Sequence, residues 1–500
     1  MLIKHKTSPF SSLQLNRKAI LPVIFIHSFI FLLLGLFALV YFSYGINPEN
    51  LIYASCILLL LLVIWLIWSW KKAVNSLFDP YAIFLAAAAI FNGGLAFLEI
   101  FHLNENGILS NSILYDTFPP EIMLKSIFLV ILGLAAFHLG ALIAAAICMN
   151  KISENKPEDK CLQPSQSDMR LVGWILLFIS IIPLFLISKN SIDIAISFGY
   201  SVLFQQESAT GVYAIPRALA TFFVPGALFL LAGSRDCKRG VIISSTLILA
   251  YSAIELIIGK RSYAIMALIA YVWLFHHLIK PIPKSILISG GAFVVFIISP
   301  IVKVIRNIPS WERFSISSVI SSLSLISSPL VATISELGST MRTISYTIYM
   351  VPAFRSFDMG IGYLYSLLAV IPNIFWDIHP VISYGTPSDW LVQEVNFYVL
   401  ESGGRLGYSF IAESYLNFGW FGIIFLAVVG FFIAMLVLWA MKSKEPAKMA
   451  MLASFTSFFL FYARSELYTI LRFLVWYSFF PYIGVYIIRW FKAGLARGKT

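Results

Sequence analysis

What most constrains this chain is a succession of long apolar runs with little or no charge, such as residues 20–44, 51–70 and 241–258. Each approaches or exceeds the roughly 20 residues a helix needs to cross a bilayer. No water-soluble core of this size could bury so much: 59% of the 500 residues are hydrophobic, 12% are charged, and mean hydropathy is +0.87. Inside hydrocarbon the backbone must satisfy its own hydrogen bonds, and uniformly apolar runs of this length do so as helices. The expectation is an all-α polytopic membrane protein with a single integral membrane domain over 1–500. The first run, of about 24 residues, follows Lys4, Lys6, Arg17 and Lys18. It outlasts the roughly 7–15 residues of a signal-peptide core, so it reads as a first membrane helix.

Marking the apolar runs predicts about twelve spans, at 20–44, 51–70, 81–101, 122–149, 171–188, 213–233, 241–258, 262–279, 285–304, 409–441, 450–463 and 467–488. With both termini cytoplasmic, 22 of the 35 lysines and arginines fall inside and 13 outside, the direction that the positive-inside rule requires. The net charge of +11 therefore reflects orientation and anionic lipid rather than nucleic acid, because the cations sit in short connections between spans. The four cysteines, Cys56, Cys148, Cys161 and Cys237, have no metal-ligand spacing and imply no disulfide framework. The chain shows no Gly-rich phosphate loop and no hydrolase or zinc motif, and its seven histidines are scattered. No metal and no cofactor is expected.

The two sides differ in chemistry as well as number. Lysine dominates the inner set and arginine the outer one. Orientation needs only positive charge, whereas arginine adds a planar fork of donors suited to phosphate and carboxylate. An arginine-rich outer face points to an anionic ligand; pairing with nearby glutamates or lipid headgroups is the alternative. Most of the outer material is the segment 305–408, between spans nine and ten, long enough to carry structure of its own. Its Tyr363, Trp376, Tyr384 and Trp390 suit either sugar binding or headgroup-level anchoring.

Four places put ionisable groups at outer helix ends. In "IELIIGKRSYA", Glu255 precedes a tight turn carrying Lys260 and Arg261. In "SELGSTMRTISYT", Glu336, Thr340, Thr343 and Thr347 follow helical spacing beside Arg342, as an interfacial amphipathic helix also would. Ahead of span ten, Arg405, Ser409, Glu413 and Asn417 recur every four residues and form one polar line on a helix, with Tyr415 alongside. Gly419 and Gly422 would let a neighbouring helix approach below that line. In "FYARSELYTILRFLVWY", Arg464, Tyr468 and Arg472 share that spacing, with Glu466 adjacent. A carboxylate or arginine inside a span is costly unless paired or hydrated, so these positions are functional candidates; helix-end salt bridges and interhelical glue are the alternatives.

The stretch "SELGSTMRTISYTIYMVPAFRSFDMGIGYLYSLLAVIPN", followed by "LGYSFIAESYLNFGWFGIIFLAVVG" and "RSELYTILRFLVWY", resembles the Wzy-type O-antigen polysaccharide polymerases, best over about 250–490. That resemblance implies a membrane glycosyltransferase of the C type. Its substrates would be undecaprenyl-pyrophosphate-linked oligosaccharide donor and acceptor, used at the outer leaflet of the bacterial cytoplasmic membrane, with membrane lipid and a chain-length regulator protein as partners. Arginines would stabilise the leaving pyrophosphate and a carboxylate would activate the acceptor hydroxyl. Arg261, Arg342, Arg464 and Arg472 are then expected at pyrophosphate with Lys260 nearby, and Glu413 or Glu336 as base. Arg306, Arg313, Arg355 and Arg405 would guide sugar or headgroup, and Asn417, Tyr415 and Tyr468 would line the site. An O-antigen ligase shares this chemistry. A lipid-linked oligosaccharide flippase is the rival of another class, disfavoured by the clustering of polar groups toward one face and the lack of an internal repeat.

Overall fold

The structure is a computed structural model. It describes residues 15–44, 47–104, 107–109, 118–150, 164–204, 214–308, 328–371, 378–401, 406–443 and 445–497, with isolated positions 315, 317, 318, 320, 321, 376 and 404. Among the described residues every regular element is helical. The N-terminal part runs α1 (Arg17–Tyr44), α2 (Glu49–Val74), α3 (Pro80–Ile100), α4 (Pro120–Asn150) and α5 (Gln166–Ser197). Next come α6 (Ile215–Gly233), α7 (Lys238–Ile258), α8 (Arg261–Leu278) and α9 (Lys284–Ile305). Local sequence explains where several begin. Asp79 accepts from the Ala82 amide ahead of Pro80, and Ser165 with Asp168 forms a capping box.

Six short helices follow: α10 (Pro329–Gly338), α11 (Met341–Met350), α12 (Ile361–Leu368), α13 (Pro380–Tyr384), α14 (Pro387–Val395) and α15 (Phe397–Glu401). The C-terminal part is α16 (Phe410–Phe418), α17 (Gly422–Ser443), α18 (Pro446–Phe459), α19 (Leu467–Arg472) and α20 (Phe480–Arg497). A 3₁₀ turn, Leu460–Arg464, precedes α19, and a π-helical stretch, Phe473–Phe479, joins it to α20.

Helices occupy all twelve expected places, and ten are long and apolar enough to cross a membrane. The two that fall short are α8, 18 residues bounded by Arg261 and by His276 and His277, and α18, 14 residues before its 3₁₀ turn. The expected tenth span is not one continuous helix. At Gly419, φ is +57°, and the chain makes a short 3₁₀ step before α17 begins. Glycine alone takes such a backbone cheaply. Gly422 packs on the Ser414 carbonyl of the same turn and Gly419 on the Phe357 ring, so both glycines serve this break instead of admitting a neighbouring helix.

α4 is the hub, with 89% of its most apolar window buried, while the outermost helix α9 has 11%. Its main neighbour is α17. A Cβ on Gly140 would overlap the Ala427 carbonyl, and one on Gly430 the Phe137 carbonyl, so the two backbones touch through glycine. Around the hub a buried polar network ties α1 to α4. Trp65 donates to His27 Nδ1 (3.1 Å), whose Nε2 meets the Ala135 carbonyl (2.9 Å). His138 bonds Ser69 (2.8 Å) and Tyr81 (2.9 Å). Each imidazole thus has a partner on both nitrogens, the condition for a polar group to sit at this depth.

Candidate functional site

Asn92 of α3 joins the start of α16 to the 3₁₀ turn that precedes α19. Its amide donates to the Ala463 carbonyl (2.9 Å), and its oxygen accepts from Ser409 (2.6 Å), the residue that caps α16. The start of α16 and the 3₁₀ turn before α19 are thereby fixed to one buried side chain.

Two buried glutamates follow from this arrangement. Glu413, 1% exposed, accepts the Leu467 amide at 2.9 Å. Leu467 is the first residue of α19, so the carboxyl group satisfies one of the amides that a helix leaves unpaired at its start. Glu466, 3% exposed, accepts the Ser388 amide at 2.8 Å, in the first turn of α14. Burial pushes its carboxyl up to about 7, with nearby Asp389 adding to the rise and backbone and side-chain hydrogen bonds opposing it. The expected polar line is thus realised differently: Ser409 is a cap, Glu413 holds a helix end, and Asn417 donates to the Glu413 carbonyl (2.9 Å). The Asn417 oxygen has no hydrogen-bond partner and faces Gly362. Arg405 lies outside the described residues.

Arg464 lies 5.6 Å above the Phe91 ring. It passes against Gly407 (φ +73°), where a Cβ would press on the guanidinium at 3.1 Å. The even spacing of Arg464, Tyr468 and Arg472 does not become one helical face. α19 starts only at Leu467, so Arg464 belongs to the preceding turn while Arg472 is exposed at the end of α19. Tyr468 is half-buried between them, within electrostatic range of Glu466 and Glu413.

A second group borders the first. Arg355 pairs with both oxygens of Asp358 (2.9 and 3.0 Å) and stacks 4.6 Å over Trp390. Burial pushes the Tyr384 hydroxyl pKa up, its hydrogen bond to Asp358 adds to the rise and Arg355 opposes it, and the ring stacks on Tyr365 at 4.3 Å. The Asp358 amide bonds the Leu416 carbonyl (3.0 Å), and Met359 bonds that of Asn417 (2.9 Å), fastening the pair to α16. Tyr415 packs edge-on against Phe357 and Trp420.

The expected neighbours Lys260 and Arg261 diverge. Arg261 reaches Ser299 (3.0 Å to Oγ) and Glu336, and Lys303 meets the other Glu336 oxygen at 3.3 Å. Lys260 lies instead within electrostatic range of Glu255 and Arg217. Glu336 lies in α10, with Thr343 and Thr347 in the separate helix α11, because the chain turns at Ser339 and Thr340. There Gly338 meets Gly94 of α3 backbone to backbone. Arg342 is half-buried at the start of α11. Arg313 and the Arg306 side chain lie outside the described residues.

Sequence reading noted Glu466 only as adjacent and passed over Asp358. Asp358 stands three residues from Arg355, a usable ion-pair signal, and Glu466 directly precedes an apolar helical run, where an N-cap belongs. Among the described residues no three histidines, cysteines or acids are grouped to hold a metal ion.

The family model for O-antigen polysaccharide polymerase Wzy matches residues 23–493, nearly the whole chain, and the protein belongs to that family. No curated protein and no solved structure gives a match.

Proposed function

We propose that this family member is a C-type membrane glycosyltransferase that polymerises undecaprenyl-pyrophosphate-linked oligosaccharide units at the outer face of the bacterial cytoplasmic membrane. The growing chain leaves one lipid carrier for a hydroxyl of the next unit. The acceptor hydroxyl gives its proton to Glu466 and its oxygen bonds to the sugar carbon. The bond from that carbon to pyrophosphate breaks, and arginines take up the charge that develops there.

The observation that carries the reading is Glu466. A general base works best when its pKa lies near the working pH, and burial brings this carboxyl to about 7. Glu336 fits that role less well, because Arg261 and Lys303 both hold it as a carboxylate. Glu413 is the positioning residue, since it anchors the helix end next to Glu466. Arg464, Arg472 and Arg342 are assigned to pyrophosphate, and Arg355 with Trp390 and Tyr384 to the sugar-facing wall. The arrangement also favours twelve crossings. At ~1.5 Å per residue α8 reaches about 27 Å, close to the roughly 30 Å of hydrocarbon. Counting it and α18 puts these clusters and the short helices on one side.

The test is reconstitution with purified lipid-linked repeat unit, read as a product ladder, beside the surface polysaccharide of cells carrying each variant. Glu466→Gln should lower chain growth by a factor of about 100 or more, the usual scale for a lost general base. Glu413→Gln keeps an oxygen for the Leu467 amide and should cost less than about tenfold. The reverse order would move the base to Glu413. Cells that lose a polymerase keep single repeat units on the lipid core; bare core would make the protein a ligase. Leaflet exchange without bond formation would make it a transporter.

A further inference from the structure

Beside the carboxyl cluster, α5, α6, α7, α8 and α18 enclose a cavity of about 510 Å³ whose two ends differ in chemistry. At one end are Arg217, Lys260 and Glu255. Glu255 is 7% exposed, and one of its oxygens has no hydrogen-bond partner. A buried acceptor left in this state costs free energy until a donor reaches it. Two cations against one carboxyl leave this end net positive. Burial lowers the Lys260 pKa and the nearby Arg217 lowers it further, with Glu255 opposing, so an anion between the two cations would relieve both. The rest of the wall is mostly apolar, including Ile187, Ile194 and Val224, with Asn190, Ser191 and Thr221 set among them.

Leu186 lines the cavity and is 58% exposed. It continues a stripe of outward-facing side chains on α5, Phe178, Ile182 and Phe185, each more than half exposed. A helix surface of this kind faces lipid, so the cavity opens sideways into the bilayer. Its polar end lies near the reaction cluster. Phe473, next to Arg472, lines the wall, and Tyr263 of the wall packs 5.2 Å from Phe461, three residues before Arg464.

We propose that this cavity seats the polyprenyl chain of one of the two lipid-linked units, the one whose pyrophosphate is not held by Arg464, Arg472 and Arg342, with Arg217 and Lys260 gripping its phosphate head and the mostly apolar wall taking the first isoprene units. The proposal rests on the reading above that the substrate is carried on such a lipid. The volume lies within the roughly 300–1,000 Å³ that houses one small ligand, enough for a phosphate head and the first isoprene units, with the rest of the chain running into the bilayer. A ligand hydroxyl or a protonated phosphate oxygen would complete Glu255.

Farnesyl pyrophosphate is the probe, titrated against the purified full-length protein in detergent, with inorganic pyrophosphate and phosphatidylglycerol as parallel arms. Farnesyl pyrophosphate should bind, and Arg217→Gln with Lys260→Gln should weaken it at least tenfold, while Arg217→Lys with Lys260→Arg restores most of the affinity and guards against a folding artefact. Val224→Trp, which fills the wall, should weaken the farnesyl probe while leaving any binding of inorganic pyrophosphate unchanged. Equal binding of inorganic pyrophosphate would reduce the site to an anion site, and equal competition by phosphatidylglycerol would make it an ordinary lipid site; either overturns the proposal, as does unchanged affinity in the double variant. Glu466→Gln should still bind the probe. Binding kept with chain growth intact in that variant would sink the polymerase assignment of Glu466 alone, and binding absent with Glu466-dependent growth would sink the cavity alone.

Discussion

Glu466 is almost completely buried, and that burial is what brings its pKa close to neutral. The folded protein keeps its proton up to about 7, whereas the unfolded chain releases it near 4.5. Between those values the folded state binds more protons, so stability falls as pH rises from about 4.5 to 7 and levels off above. At 1.36 kcal/mol per unit, the span is worth on the order of 3 kcal/mol. Thermal midpoints measured from pH 4.5 to 8 should show this decline, and Glu466→Gln should make it shallower. Activity should run the other way, because the base acts once deprotonated: chain growth should rise with pH through an apparent pKa near 7. A wild-type profile flat from pH 6 to 8 would remove Glu466 from the chemistry. Arg355 offers a second check. Lysine keeps its charge but neither the fork on Asp358 nor the stack on Trp390, so Arg355→Lys should lower activity nearly as far as Arg355→Ala.

At the scale of elements, the α4–α17 crossing tolerates no side chain where the backbones meet. Gly140→Leu should cost more than about 4 kcal/mol, the range of severe core disruption, and strip the protein from the membrane fraction. Gly290→Ala in α9, where nothing lies within 4 Å, should leave membrane levels unchanged. The turn "GKR" shows what sequence can deliver at this scale: Gly259 closes α7 at φ +97° and Lys260 opens α8, as glycine and charge after an apolar run suggest. The interruption at Gly419 was not legible, because "NFGWFG" is apolar enough to continue a helix and only the packing of Phe357 and Ser414 shows that it stops. Nor were the partners of the two glutamates. Leu467 is 54 residues from Glu413 and Ser388 is 78 from Glu466, and no local pattern encodes a bond across such distances.

For the whole molecule, hydropathy sufficed to find the ten helices long and apolar enough to cross a membrane, while the order of their packing and the place of the short helices came from tertiary contacts. The sidedness proposed above is open to single-cysteine labelling in a cysteine-free background. Tyr398→Cys, at a position 80% exposed, should react with an impermeant maleimide on intact spheroplasts. A cysteine at exposed Asn75, after α2, should react only once the membrane is opened. The opposite pattern would invert the topology. The two glutamate bonds also have a mechanical meaning. Glu413 ties the membrane helix that carries it to the start of α19, and Glu466, at that start, ties it to the start of α14. A carboxylate grips an amide more firmly than a carboxylic acid does. A proton arriving on Glu466 therefore slackens its hold on α14, so the charge of the base and the docking of the short helices are thermodynamically linked, and whatever displaces those helices also shifts the affinity of Glu466 for its proton.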